Sequence, residues 1–81
     1  MLELQENTLY TSKDLEVEIH IADNTTVLIF DEEDTLQKVT FGKNASLKYF
    51  SYFSTGKVFQ KTFLMCGENS RCEVYSLLSS K

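Results

Sequence analysis

The stretch Phe41-Gly42-Lys43-Asn44-Ala45-Ser46-Leu47-Lys48-Tyr49-Phe50 reads as the end of one strand, a tight corner, and a second strand leaving at a new angle. Looser copies run from Ile21 to Phe30 and from Cys66 to Tyr75. In each copy an Asn (Asn24, Asn44, Asn69) follows a charged residue and precedes a small one (Thr25, Ala45, Ser70). Asn suits a corner because it tolerates left-handed backbone and can hydrogen-bond locally. Apolar or sulfur side chains follow at fixed offsets: Val27 and Ile29, Leu47 and Tyr49, Cys72 and Val74. Residues 4–7 (Leu-Gln-Glu-Asn) form a weaker, terminal copy without the apolar spacing.

Successive corners lie 20 residues apart (24 to 44) and then 25 (44 to 69). That is about the length of one coil of a β-solenoid, in which inward side chains stack on their equivalents one coil away. The expected inward columns are Val27/Leu47/Cys72 and Ile29/Tyr49/Val74. Leu15 to Ile21 alternates apolar and polar as a half-buried strand does, placing Leu15, Val17, Ile19 and Ile21 inward and Glu16, Glu18 and His20 outward. Lys38 to Phe41 restarts the pattern with Val39 and Phe41 inward, and Gly42 is a candidate for positive φ. Further strands are expected from Lys57 to Cys66, after a turn at Ser54-Thr55-Gly56, and from Cys72 to Leu78. One helical turn in the four-residue acidic run before Thr35-Leu36-Gln37 is the most helix the pattern allows. The class is all-β, a single domain over residues 1–81: a short parallel solenoid of three to four coils, with a small sandwich or barrel as the competing arrangement.

Composition bounds function. An 81-residue chain supports one small core. It has no apolar run long enough for a membrane helix and no leader-like start, so a cytoplasmic place with two reduced thiols is expected. Net charge is −4, with ten acids against one lysine in residues 1–34 and seven bases against two acids thereafter. The two halves either neutralise each other across the fold or form an acidic and a basic end. Lysines scattered singly do not make a nucleic-acid surface. The run Asp31-Glu32-Glu33-Asp34 lacks the spacing of a calcium loop and reads as a solvated turn.

Chemistry-bearing residues are few. Cys66 and Cys72 flank the last corner and are the candidate metal ligands, although free Cys more often packs as a small hydrophobe. His20 reads as a surface residue. No nucleophile–His–acid set and no Gly-rich phosphate loop is present in the sequence, so a non-enzymatic role is expected. Phe50, Phe53, Phe59 and Phe63 are more aromatic surface than one sheet face can hide, and they form the candidate interface. Open solenoid ends expose strand edges, which points to a homo-oligomer, in the simplest case a dimer.

The segments VTFGKNASLKYFSYF (residues 39–53) and TFLMCGENSRCEVYSLLSS (62–80) resemble the core of the SufB/SufD family, over about Leu15 to Ser79. The resemblance implies a right-handed parallel β-helix and a scaffold or accessory role in iron–sulfur cluster assembly. It also implies an iron–sulfur cluster as a possible cofactor and a SufB/SufD-like protein as a possible partner, met end to end through the helix. Family members have several hundred residues and helical flanking parts, including the C-terminal segment that meets the SufC-type ATPase. This chain shows no counterpart of that segment, so ATPase binding does not carry over. Nor does a ligand role pass from the family to Cys66, Cys72 or His20.

Overall fold

A computed structural model describes residues 1–53 and 55–77, with Thr55 described by its backbone alone. The chain is a parallel β-solenoid of four coils, each contributing one strand to each of two four-stranded sheets. The first sheet has the order β1 (Leu2–Leu4), β3 (Glu18–Ile21), β5 (Lys38–Phe41), β7 (Thr62–Leu64). The second has β2 (Leu9–Thr11), β4 (Thr26–Asp31), β6 (Ser46–Ser51), β8 (Arg71–Ser76). All six strand pairings among the described residues are parallel. The solenoid expectation therefore holds, and the sandwich and barrel alternatives fall, because both are built chiefly from antiparallel strands.

The corner is what makes this topology possible. Asn24, Asn44 and Asn69 have φ of 59°, 59° and 63°, the left-handed backbone that lets the chain turn sharply between a first-sheet and a second-sheet strand. The turn closes with Ala45 N–H donating to Gly42 O (3.2 Å) and Ser70 N–H donating to Gly67 O (3.3 Å). Stacked corners bond to each other: Asn24 N–H donates to Lys43 O and Asn44 N–H to Glu68 O, both at 2.8 Å. The Asn44 side chain adds an Nδ2–H bond to Asn24 Oδ1 at 3.0 Å.

Gly42 does not supply the positive φ; that is done by Asn44, and no glycine has positive φ. The glycines instead allow close stacking. A Cβ on Gly67 would fall on the carbonyl of Gly42 and 2.6 Å from the Lys43 nitrogen. At the first full corner the equivalent position is Ala22, whose N–H donates to Leu4 O at 3.0 Å. Replacing Asn44 by Ala is expected to cost about 1–2 kcal/mol from forcing an L side chain into left-handed backbone. Asn44→Gly should recover most of that, and urea midpoints of the two variants check the difference.

The inward columns pair as expected: Val27 with Leu47 with Cys72, and Ile29 with Tyr49 with Val74. The core also holds Leu4, Leu15, Ile19, Ile21, Leu36, Val39, Phe41, Ala45 and Val58. Several boundaries differ from the sequence pattern. The strand expected from Leu15 begins at Glu18, because residues 12–14 form a 3₁₀ turn capped by Thr11 N–H donating to Asp14 Oδ2. Leu15 is still buried, but Val17, expected inward, is 53% exposed. The acidic run before Thr35 forms no helical turn; the short helix α1 lies at Thr55–Val58 and replaces the start of the strand expected from Lys57. Ser54 of the expected turn and Leu78 of the expected last strand lie outside the described residues, as does the rest of the tail.

The last coil carries one extra residue. Thr40 pairs with Leu64, and Gly67 N–H bonds Phe41 O as Gly42 N–H bonds Ile21 O. Met65 and Cys66 therefore stand where Phe41 stands alone one coil earlier, a bulge-like insertion at which both residues are exposed.

Candidate functional site

Three places in this fold could carry function: a buried charged cluster, the thiols of coil 4, and the outward aromatic surface. The cluster was not legible in the sequence. Asp31, expected in a solvated turn, is fully buried at the end of β4. Its Oδ1 accepts from Ser12 Oγ (2.9 Å) and Asp34 N–H (3.1 Å), and its Oδ2 accepts from the Tyr49 hydroxyl (2.5 Å). Lys61 Nζ lies 3.8 Å from Asp31 Oδ2, donates to Asp34 Oδ1 at 2.6 Å and to Leu36 O, and sits over the Phe53 ring. Lys57 adds a looser ion pair to Asp34 at 3.8 Å. Asp34 is the fourth residue with positive φ (58°), which bends the acidic run back around this cluster. Only Glu32 and Glu33 are solvated as expected, and their N–H groups donate to Ser12 Oγ.

This constellation ties coil 1 (Ser12), coil 2 (Asp31, Asp34), coil 3 (Tyr49) and the 52–61 insertion (Lys61) to one point. Every buried side-chain N and O among the described residues has a partner. The Tyr49 phenol is held well above its usual range, first by burial and then by its hydrogen bond to Asp31. It therefore stays a donor at any physiological pH. Its contacts make it a structural pin between the coils.

The strand order also places the charge asymmetry. The coils stack in chain order, so the acidic residues 1–34 lie in the first two coils and the described basic residues that follow lie in the last two, with Glu18 and Lys38 in register at the junction. Lys57 and Lys61 reach back across that junction to Asp34 and Asp31.

Both cysteines lie in coil 4 and are free thiols. Cys66 is exposed at the insertion before the corner, against the expectation that both thiols are buried, while Cys72 is half-buried against the core. Burial, with a smaller contribution from Glu73, pushes the Cys72 thiol up to about 11. His20 is on the first sheet, where its Nδ1 contacts Thr40 Oγ1 at 2.8 Å, and it does not join the thiols. Among the described residues no group of three or more His, Cys, Asp or Glu side chains is placed to hold a metal.

The raised pKa values give a pH prediction. A thiol or phenol whose pKa is higher folded than unfolded keeps its proton longer in the native state, so its contribution is complete below the unfolded pKa and lost above it. The urea midpoint is expected to hold steady from pH 6 to 8.5 and fall from about pH 9, first through Cys72 and then through Tyr49. Cys72→Ala should remove the early part of the fall. Cys66 should also react with iodoacetamide much faster than Cys72 at pH 7.5.

The four candidate interface phenylalanines do not share one surface. Phe63 is half-buried and meets Tyr49 edge to face at 5.6 Å, and Phe53 packs against the core beneath Lys61. Phe59 is 85% exposed on the insertion, and Phe50 faces outward from β6. The outward aromatic row is instead Phe30, Phe50 and Tyr75, in register on β4, β6 and β8. Phe30 and Phe50 meet edge to face and Phe50 and Tyr75 stack, both at 5.0 Å. The period-2 pattern could have found this row had the strands been aligned by their corners.

Among the described residues no helix is long and apolar enough to cross a membrane. No family model, curated protein or solved structure matches the chain.

Proposed function

We propose that this chain is a non-enzymatic association module, a scaffold whose work is to hold another solenoid or a second copy of itself. The observation that carries this reading is the state of the inward columns at coil 4. Val27 and Leu47 are buried, as are Ile29 and Tyr49, yet Val74 at the end of its column is 46% exposed. Leu64 and Met65 in the same coil are also exposed, and β7 and β8 are the edge strands of their sheets. Edge strands above an open apolar column are templates for further pairing. The occupant in this reading is the end coil of another β-solenoid, which supplies both strand edges and a matching column. Light scattering on the whole chain tests it: self-association at tens to hundreds of micromolar is expected, and Val74→Asp should weaken it. A mass unchanged by Val74→Asp would end the claim for coil 4.

A second reading makes the module a SufB/SufD-like accessory in iron–sulfur cluster assembly, working in the cytoplasm beside a SufB/SufD-like partner. Its support is the resemblance of the corners and the placing of two free thiols, Cys66 and Cys72, around the corner of the open coil. With only two thiols nearby, a cluster would need ligands from a partner. Anaerobic reconstitution with iron and sulfide, in wild type, Cys66→Ser and Cys72→Ser, separates the readings. Cysteine-dependent visible absorbance supports the cluster reading, and its absence leaves the association module without metal chemistry.

A further inference from the structure

We propose that the outward face of the second sheet is a two-fold contact between two copies of this chain, with the axis running along the strands between β6 and β8. The proposal rests on the reading of the chain as an association module and adds a second surface to it. Two features of that face support it.

The first is apolar. Phe50 and Tyr75 stack on the two strands that face the second copy, and Phe30, on which Tyr52 packs at 6.2 Å, flanks them on β4. Tyr52 and Tyr75 remain 45% and 43% exposed. Rings already ordered against one another lose little freedom on being covered, so such a row suits a contact.

The second is charge. Next to the aromatic row stand Lys48 and Glu73, in register on β6 and β8, and beyond them Ser46 and Arg71. These four, with Thr26 and Leu47, line a shallow groove of about 210 Å³. Lys48 and Arg71 have no ion pair among the described residues, and the Glu73 carboxylate accepts from the Tyr75 hydroxyl at 2.7 Å. Rotation about an axis between β6 and β8 lays β6 on the second copy's β8 at the same height along the strands. Lys48 then faces Glu73 of the second copy, Glu73 faces its Lys48, and Phe50 and Tyr75 face each other twice. An axis along β6 would set Lys48 on Lys48, and one between β4 and β6 would set Glu73 against Leu9. Of these three axes the one between β6 and β8 is self-complementary, and complementary charge at a rim fixes register more than affinity. The two sheets would stack about 10 Å apart with their strands nearly aligned.

Sedimentation equilibrium on the whole chain tests this together with the coil 4 contact. With both surfaces active the wild type should exceed a dimer; Val74→Asp and Phe50→Asp should each stop at a dimer, and the double variant should be a monomer. In the Val74→Asp background, Lys48→Glu should weaken the dimer at least three-fold, and adding Glu73→Lys should restore it. Lys48→Glu changes an exposed side chain, so the test stands even if Phe50→Asp perturbs folding. A Phe50→Asp protein with wild-type mass, or no rescue by the charge swap, would overturn the face contact while leaving the association reading intact. A Val74→Asp protein with wild-type mass would instead remove the coil 4 contact, and a wild type that stays monomeric would remove both.

Discussion

Replacing Asp31 by Ala should unfold most of the domain. The substitution strips the Ser12 and Tyr49 hydroxyls and the Asp34 N–H of their acceptor, and takes one of two carboxylates from a lysine whose side chain is 1% exposed. Breaking a buried pair by removing one partner costs about 3–5 kcal/mol. A small domain has only about 5–15 kcal/mol in total, and an 81-residue solenoid belongs near the lower end. Asp31→Asn keeps the shape and an acceptor oxygen, so it should lose markedly less. The two urea midpoints, read by circular dichroism, give the comparison; equal, small losses would mean that the cluster does not hold the coils together. Lys61→Met should fall between the two, since it leaves Asp31 with its three uncharged donors but removes the tie to the 52–61 insertion.

Gly67→Ala should act differently, detaching coil 4 rather than melting the whole fold. The new Cβ would land on the backbone of Gly42 and Lys43, which cannot swing away as a side chain would. Overpacking of this kind costs about 1–3 kcal/mol or more. In a stacked-coil protein each coil touches only its neighbours, so the loss falls on the terminal coil first. Hydrogen exchange should show Arg71–Ser76 losing protection while Thr26–Asp31 keeps it. Gly42→Ala tests the contrast: its Cβ would meet the Asp23 side chain, and its backbone neighbours lie 2.9 and 3.0 Å away. In the middle of the stack that strain should lower the global midpoint instead. Loss of protection across all four coils in Gly67→Ala would contradict coil-by-coil stability.

The parts of this fold that repeat were legible from residue order, and the parts that do not repeat were hidden. The Asn–small corner and the apolar offsets after it recur at a near-constant interval, so the columns Val27/Leu47/Cys72 and Ile29/Tyr49/Val74 could be aligned without coordinates. The pin could not. An isolated Lys61 and an acidic run 27 residues earlier than it carry no shared signal, and runs of acids are ordinarily solvated. What buries Asp31 is its alternation: it is the last inward position of β4, in register with Ser51, and polar only because Tyr49 and Lys61 reach it. Val17 misled for the opposite reason. Its alternation continues that of β3, but Gln37 and Lys38 N–H both donate to its carbonyl in a bend outside the strand. The outward aromatic row was blurred with inward Phe63 and Phe53, because the insertion between β6 and β7 and the extra residue at Met65-Cys66 shift the frame.

Parallel stacking of the corners underlies both sheets, the pin and the open coil 4, and amide-to-amide and amide-to-α-proton contacts in a nitrogen-15-edited NMR experiment test it most directly. Parallel pairing keeps the difference in residue number constant along a strand pair. Contacts should therefore link Thr26 with Ser46, Leu28 with Lys48 and Phe30 with Phe50, each at an offset of 20, and continue from Lys48 to Glu73 and Phe50 to Tyr75. An antiparallel sheet keeps the sum constant instead, so a contact ladder that runs Thr26 to Phe50 and Phe30 to Ser46 would contradict the solenoid.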